Sequence, residues 1–322
     1  MICWVLTDGK QGMESQCVGL ARRLGLEPVV KRVRLRVPWR QLSPWPLAVF
    51  CRWAISSTRD QLDGVLPDLL IATGRRSVAA SFAVRDMSGG RTFRVQIQDP
   101  GVAPSKFDLV VVPRHDRLRG DNVMVTLGAL HNVTPPVLHQ AALRFGERFA
   151  TLPHPRIAVL VGGSNGAYRL TPAATERLAR QLIQAATNSG GSLLVTASRR
   201  TGLENTAILR GMLSNIRGEV WDGGGDNPYL GYLAHADAIV VTSDSINMAT
   251  EAWATGKPVH IFALEGGSAK FRRFHQTAQA AGITRPFDGT LPDWSYQAPD
   301  DTGLVADEIR RLVSLKSRLP QR

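Results

Sequence analysis

One pattern restricts the fold more than any other. A short apolar run, often β-branched, stops at glycine or small polar residues, and a stretch with helical spacing of apolar positions follows. In the first half such runs lie at 2–6, 28–37, 69–72, 94–98 and 109–112, with helical stretches at 14–24 and 77–85. Strands that read as near-continuous apolar runs are covered on both faces, which is the mark of a parallel sheet with crossover helices. A helical stretch over 135–152 ends at Pro153-His154-Pro155, and the pattern then starts again. Strands are predicted at 156–161, 192–196, 238–241 and 259–262, with helices at 172–189, 204–213, 227–234 and 246–254. An amphipathic helix is predicted over 302–315. The expectation is an α/β chain with two Rossmann-like, doubly wound parallel-sheet domains facing a cleft. Their bounds are 1–152 and 153–300, with a terminal helix in 301–322. A length of 322 residues suits two domains of roughly 150.

In open parallel sheets, ligands sit beyond the C-terminal ends of the strands. The loop Gly162-Gly163-Ser164-Asn165-Gly166 leaves such a strand end and precedes a helix. Its glycines let a ligand approach the backbone amides, and the helix start favours an anion. The glycine spacing is neither that of a dinucleotide fingerprint nor, at Gly256-Lys257-Pro258, that of a Walker loop. The run Thr242-Ser243-Asp244-Ser245-Ile246-Asn247 combines a strand end with a helix N-cap, so its hydroxyls and amides can seat a phosphate. Glu251, two turns further on, is placed to accept ribose hydroxyls. Arg199 and Arg200 close another strand, and their planar forks match phosphate oxygens. In the first half Asp8, Lys10 and Glu14 surround the first strand-to-helix turn, where a carboxylate can act as general base. Gly74, Arg75 and Arg76, then Asp99, then His115 beside Asp116, occupy later strand ends. Plainer readings stand beside these: a glycine turn, an N-cap at Asp8, a solvated Glu251, a surface arginine pair. There is no Asp-x-Asp pair and no histidine spacing suited to a metal, so a metal-free site is expected.

The formal charge is +12, and it is uneven. Residues 1–150 hold 21 Lys and Arg against 12 Asp and Glu, while residues 151–322 hold 18 against 15. Part of the excess lies where basic and apolar residues alternate over 30–37, which puts Arg32, Arg34 and Arg36 on one face of a strand. Trp39, Trp45 and Trp53 follow. This reads either as core or as a patch for an anionic membrane surface. No nucleic-acid-binding motif accompanies the charge, so nucleic acid is not expected as a partner. Three cysteines without Cys-x-x-Cys spacing fit a reducing cytosol. The opening residues have no basic lead and no apolar core long enough for a signal peptide, and no run reaches the roughly 18 apolar residues of a membrane span.

The loops from Leu6 to Gln16, Gln98-Asp99-Pro100, the segment from Val112 through His131, Gly162-Gly163-Ser164, Ser198-Arg199-Arg200-Thr201 and Thr242 through Met248 occur together. In that combination, running along nearly the whole chain, the sequence resembles the bacterial branch of the mitochondrial fission Elm family. The family looks like a two-domain GT-B glycosyltransferase. Its layout is similar to those of the peptidoglycan N-acetylglucosaminyltransferase, the lipid A Kdo transferases and the nucleotide-sugar epimerases. The resemblance implies that the C-terminal half holds a nucleotide sugar and the N-terminal half an acceptor. Gly163 and Ser164 would then face the diphosphate with Arg199 or Arg200, and Ser243, Ser245 and Asn247 would line the phosphate or sugar. Glu251 would take the ribose, and Asp8 or Glu14 would be the acceptor-side base. The terminal helix would pack back on the first domain. Plant members of the family recruit a dynamin-like protein at the mitochondrial surface, a role that does not transfer simply to a bacterial-type chain. The expected activity is a metal-independent glycosyltransferase on a cell-envelope or lipid-linked acceptor, cytoplasmic and peripheral on the inner membrane. A nucleotide-sugar epimerase and a non-catalytic scaffold that binds a partner protein are the alternatives.

Overall fold

The computed structural model describes residues 1–33, 62–221 and 223–318. The chain divides into two compact units, Met1–Asn132 with Asp300–Arg322, and Val133–Pro299. The first unit holds six parallel strands: β1 (Cys3–Thr7), β2 (Val29–Arg32), β3 (Leu69–Thr73), β4 (Phe93–Ile97), β5 (Leu109–Pro113) and β6 (Val123–Thr126). Their order is β2-β1-β3-β4-β5-β6. The four inner strands are buried at every residue, three of them near-continuous apolar runs and β4 carrying the buried polar Arg94 and Gln96. Alternate side chains serve the two faces. Trp4, Leu6, Leu70, Ala72, Val110 and Val112 pack under helix α2 (Val78–Met87), against Val78, Phe82 and Ala83. Cys3, Val5, Leu69, Ile71, Val95 and Val111 pack on the other face, against Cys17 and Leu20 of α1 (Gln11–Arg23). Each such aliphatic side chain contributes roughly 1.5–3 kcal/mol when buried. The strand predicted over 28–37 is seen as β2; Arg34, Arg36, Trp39, Trp45 and Trp53 lie outside the described residues.

The second unit repeats the plan. Its sheet contains β7 (Arg156–Val161), β9 (Ser192–Ala197), β10 (Gly218–Trp221), β11 (Ala238–Thr242), β12 (Val259–Phe262) and β14 (Thr284–Pro286), in the order β10-β9-β7-β11-β12-β14. A small antiparallel pair joins β8 (Tyr168–Arg169) to β13 (Glu265–Gly266). The helices are α3 (Pro135–Phe149), α4 (Pro172–Ser189), α5 (Leu203–Leu213), α6 (Tyr229–His235), α7 (Ile246–Trp253) and α8 (Ala269–Ala280). Leu178 and Leu182 of α4 and Leu209 of α5 cover Ile157, Val159, Leu193 and Val195. Thr171 and Ser245 cap α4 and α7 by accepting from the third residue on. Helix α3 belongs to this unit, so the division falls at 132/133 and not after residue 152, where the Pro153–Pro155 break suggested it. The reason is packing: Phe149 meets Tyr232 and His235 of α6. A Cβ on Gly231 of α6 would lie 2.6 Å from the Phe145 ring.

The last helix, α9 (Asp301–Arg318), returns to the first unit. Val305, Ala306 and Ile309 enter the core beneath α1. The buried Asp301 carboxylate accepts from the amides of Leu127 (3.1 Å) and Gly128 (2.9 Å). The Thr302 hydroxyl accepts from the amide of His131 and donates to its carbonyl, both at 3.1 Å. Among the described residues no helix is long and apolar enough to cross a membrane.

Both sheets have a topological switch point, where successive crossovers leave in opposite directions. In the first unit it lies between β1 and β3, and in the second between β7 and β11. Loops after those strands splay apart and leave a crevice at the carboxyl edge. Asp8 and Gly74 follow β1 and β3, while Gly162 and Ser243 follow β7 and β11. Asp8, Gly74, Gly162 and Ser243 therefore stand at the switch points, while Asp99, His115, Arg199 and Arg200 follow other strands of the two sheets.

Candidate functional site

In the second unit the switch-point loops are tied by one buried carboxylate. Asp244, with no exposed side-chain surface, accepts from the Gly163 amide (2.9 Å) and the Thr242 hydroxyl (2.6 Å), and pairs with Arg200 Nη1 (2.9 Å). The Thr242 hydroxyl in turn accepts from the Gly162 amide (2.8 Å). Burial pushes the Asp244 pKa above the ordinary carboxylate value, against the opposing pull of Thr242, Arg200 and the Gly163 amide. Ser198 and Thr201 both donate to the Gly162 carbonyl, at 2.5 and 2.6 Å. These contacts explain the glycines. A Cβ on Gly162 would lie 2.3 Å from Asp244 Oδ2, and one on Gly163 (φ +149°) 2.2 Å from the Arg200 backbone. Gly162 and Gly163 are thus fixed by close packing of three strand-end loops, and the Gly163 amide is already engaged.

The other predicted residues of this unit divide into two sets. Asn165 folds its own loop: its Oδ1 accepts from Ala167 and Tyr168, and its Nδ2 donates to the Asp244 carbonyl. The Ser164 hydroxyl accepts from the Leu170 amide (3.0 Å). Ser243 accepts from the Leu264 amide (3.0 Å) and hydrogen-bonds the Tyr168 phenol. Ser245 caps α7, and Asn247 stands half-buried in its first turn. Arg199 is exposed and makes no hydrogen bond or ion pair among the described residues.

Glu251 is not joined to the Asp244 network. Its Oε2 accepts from the Tyr229 phenol at 2.5 Å. Burial pushes the Glu251 carboxyl up to about 7, against the lowering effect of the Tyr229 hydrogen bond. Lys257 gives no phosphate contact of the Walker kind, since its ammonium donates to the Leu233 and Ala234 carbonyls at the end of α6. Tyr229 and His275 are not among the residues the sequence points to, and Thr201 enters only as part of the segment Ser198-Arg199-Arg200-Thr201. His275, on α8, bonds the Ser243 carbonyl through Nε2 (2.8 Å). Tertiary packing brings Tyr229 and His275 to the site, whereas Thr201 shares the strand-end loop of Arg200. The one local signal was Asn227-Pro228 before Tyr229, a helix start beside a glycine-rich turn.

In the first unit the predicted residues form separate pairs. Asp8, its side chain 8% exposed, lies 3.4 Å from Arg76 Nη1 and 3.5 Å from Lys10 Nζ. Glu14 is held by both nitrogens of an Arg32 fork, at 2.8 and 2.9 Å, and this bond keeps it below the ordinary carboxylate range. Arg75 pairs with Asp99 at 3.1 Å. Gly74 takes a positive φ of 73° after β3, and the Met13 Sδ would sit 3.4 Å from a Cβ there. Gln98, just before Asp99, has a φ of 69°, which is costly for a residue with a side chain and is characteristic of functional turns. His115 is buried.

Two six-stranded parallel Rossmann-like sheets, each followed by polar loops at its switch point, define the GT-B-like class. Solved structures share the fold. A UDP-GlcNAc 2-epimerase from Neisseria meningitidis bound to UDP-GlcNAc matches with a TM-score of 0.56 and 13% identity, over 98% of this chain and 99% of that one. The glycotransferase of kitacinnamycin matches with a TM-score of 0.50 and 16% identity, over 99% and 91%. The chain belongs to the family described as Mitochondrial fission ELM1, whose model matches residues 11–313. The mitochondrial fission protein ELM1 of Arabidopsis thaliana is 27% identical, over 97% of this chain and 91% of its own length.

Proposed function

We propose that the second unit binds a nucleotide-diphosphate sugar and that the protein is a GT-B-type glycosyltransferase. The observation that carries this reading is the pinned pair of loops at the second switch point. Asp244 and Thr242 hold the loops after β7 and β11 rigid beside the capped start of α7, and Glu251 waits two turns along. A helix start with preset amides suits a diphosphate, and a desolvated carboxylate suits ribose hydroxyls. In this reading Arg199 and the exposed part of Arg200 meet the diphosphate with Ser164, Ser245 and Asn247. The leaving charge is met by these groups without a metal. The first unit supplies the acceptor side through Lys10, Gly74, Arg75 and Asp99, while the predicted His115 is buried away from it. The acceptor hydroxyl attacks the anomeric carbon, the bond to the diphosphate breaks, and Asp8 takes the hydroxyl proton. Glu14, whose carboxylate is engaged by the Arg32 fork, is the alternative base.

That epimerase bound to UDP-GlcNAc, with its full-length fold match, favours UDP-sugars as first candidates and keeps epimerisation as the second reading. An epimerase converts its nucleotide sugar with no acceptor present; a transferase releases the nucleoside diphosphate only with one. The positive first half supports an acceptor carried on a cell envelope or lipid at an anionic membrane surface, with the protein cytoplasmic and peripheral there. Salt-sensitive sedimentation with anionic liposomes checks that part. Titration calorimetry with UDP-, GDP-, ADP- and CMP-sugars tests the core of the reading. One of them should bind, and Glu251→Ala should weaken it by about tenfold or more. A folded protein that binds none of them refutes the reading and leaves a scaffold for a protein partner.

A further inference from the structure

We infer that Tyr229 is a positioning residue that makes the second unit select ribonucleotides over deoxyribonucleotides, holding one Glu251 oxygen and leaving the other for a ribose hydroxyl. The inference rests on the nucleotide-sugar reading above and deepens it by naming what fixes the sugar of the nucleotide.

Tyr229 opens α6, and its backbone is set before its side chain acts. The Tyr229 amide donates to Asn227 Oδ1 (3.0 Å), and the buried Pro228 precedes it with φ −83°. The phenol then reaches Glu251 Oε2 at 2.5 Å. Burial, reinforced by the nearby Glu251, pushes the Tyr229 pKa far above the ordinary phenol value, so the hydroxyl is a permanent donor. Among the described residues Tyr229 is the only hydrogen-bond partner of Glu251. Oε1 therefore keeps its full capacity to accept, in a half-buried setting where a hydrogen bond counts for more than in water.

A glutamate alone has several rotamers, and ordering it on binding opposes affinity. The phenol removes that freedom beforehand. A ribose presents two adjacent hydroxyls as donors, and a deoxyribose lacks one of them. A site built to receive a hydroxyl discriminates strongly against an analogue without it, because the partner is then left unpaired.

The test is a double-mutant cycle between the Tyr229 hydroxyl and the ribose hydroxyls, read by calorimetry on the full chain. The probes are UDP and ADP with their 2′-deoxy and 3′-deoxy forms. The wild type should bind one deoxy form about tenfold or more weakly than its parent. In Tyr229→Phe that ratio should fall below about threefold, with the affinity for the deoxy form changed less than about twofold. In a Glu251→Ala background, Tyr229→Phe should change neither affinity. If Tyr229→Phe weakens ribo and deoxy forms by the same factor, or leaves the ratio as in wild type, the inference is overturned. A folded wild type that binds neither UDP nor ADP is a different result, which removes the nucleotide reading and this inference with it.

Discussion

Glu251 gives the sharpest test of the physical reasoning. Its carboxyl is raised by burial from 4.5 to about 7. In the unfolded chain it ionises near 4.5, so between those values the folded state binds the extra proton. Folding stability therefore falls as pH rises through this window. The difference of about 2.5 pH units, at about 1.4 kcal/mol each, makes the ionised carboxylate cost roughly 3 kcal/mol above pH 7. Below pH 4.5 the cost vanishes. Glu251→Gln keeps the length of the side chain and still offers an oxygen to the Tyr229 phenol, but carries no charge. It should therefore stabilise the protein by up to about 3 kcal/mol at pH 8 and by almost nothing at pH 4.5. Urea unfolding of both proteins across that range, followed by tryptophan fluorescence, gives the two curves. A stability difference that does not change with pH, or a less stable Gln variant at pH 8, refutes the account of Glu251. The same variant should bind nucleotide less well, since groups retained against stability are typically retained for binding or chemistry.

Other consequences are independent of any ligand. His260 is wholly buried between Phe287 and Trp294, neither ring nitrogen has a partner among the described residues, and burial lowers its pKa to about 4. His260→Leu should raise stability at pH 7 by about 1–2 kcal/mol, and should abolish a loss of up to ~3 kcal/mol that the wild type suffers as pH falls from 6.5 to 4, both measured by urea unfolding. Asp301→Ala should cost about 2–4 kcal/mol by stranding the amides of Leu127 and Gly128, seen as faster hydrogen exchange at those two positions. Gly162→Ala should lower the melting temperature by at least several degrees. Gly166→Ala, with open space around its would-be Cβ, should leave it nearly unchanged.

Most inner strands were legible because burial on both faces leaves a near-continuous apolar run, as in Leu69–Thr73 and Ala238–Thr242, whereas Phe93–Ile97 carries buried Arg94 and Gln96. Edge strands escape that rule. Gly218–Trp221 and Thr284–Pro286 are short and partly exposed, so their sequences carry no such run. The first-unit edge strand Val123–Thr126 was missed for the same reason. Helix Ala269–Ala280 was missed because arginines and glutamine dilute its apolar face. Loop positions at the strand ends could be read from glycine and hydroxyl content alone. Their roles could not. Asp244 looks like a phosphate-side residue in sequence, but its carboxylate points inward and ties two loops together. Glu14 looks like a free base until the fold brings Arg32 against it from 18 residues away. Such pairings depend on which strand ends are neighbours, and a single sequence does not state that.

The return of α9 to the first unit has a bearing on the order of synthesis. The second unit is one continuous stretch, Val133–Pro299, and every residue it needs has been synthesised before Asp300 is added. The first unit begins earlier yet finishes later, because the seat for Val305, Ala306 and Ile309 and the amides of Leu127 and Gly128 wait for the last segment. A released chain ending just short of Asp300 would therefore hold every residue of the second unit while the apolar seat for α9 on the first unit stays uncovered.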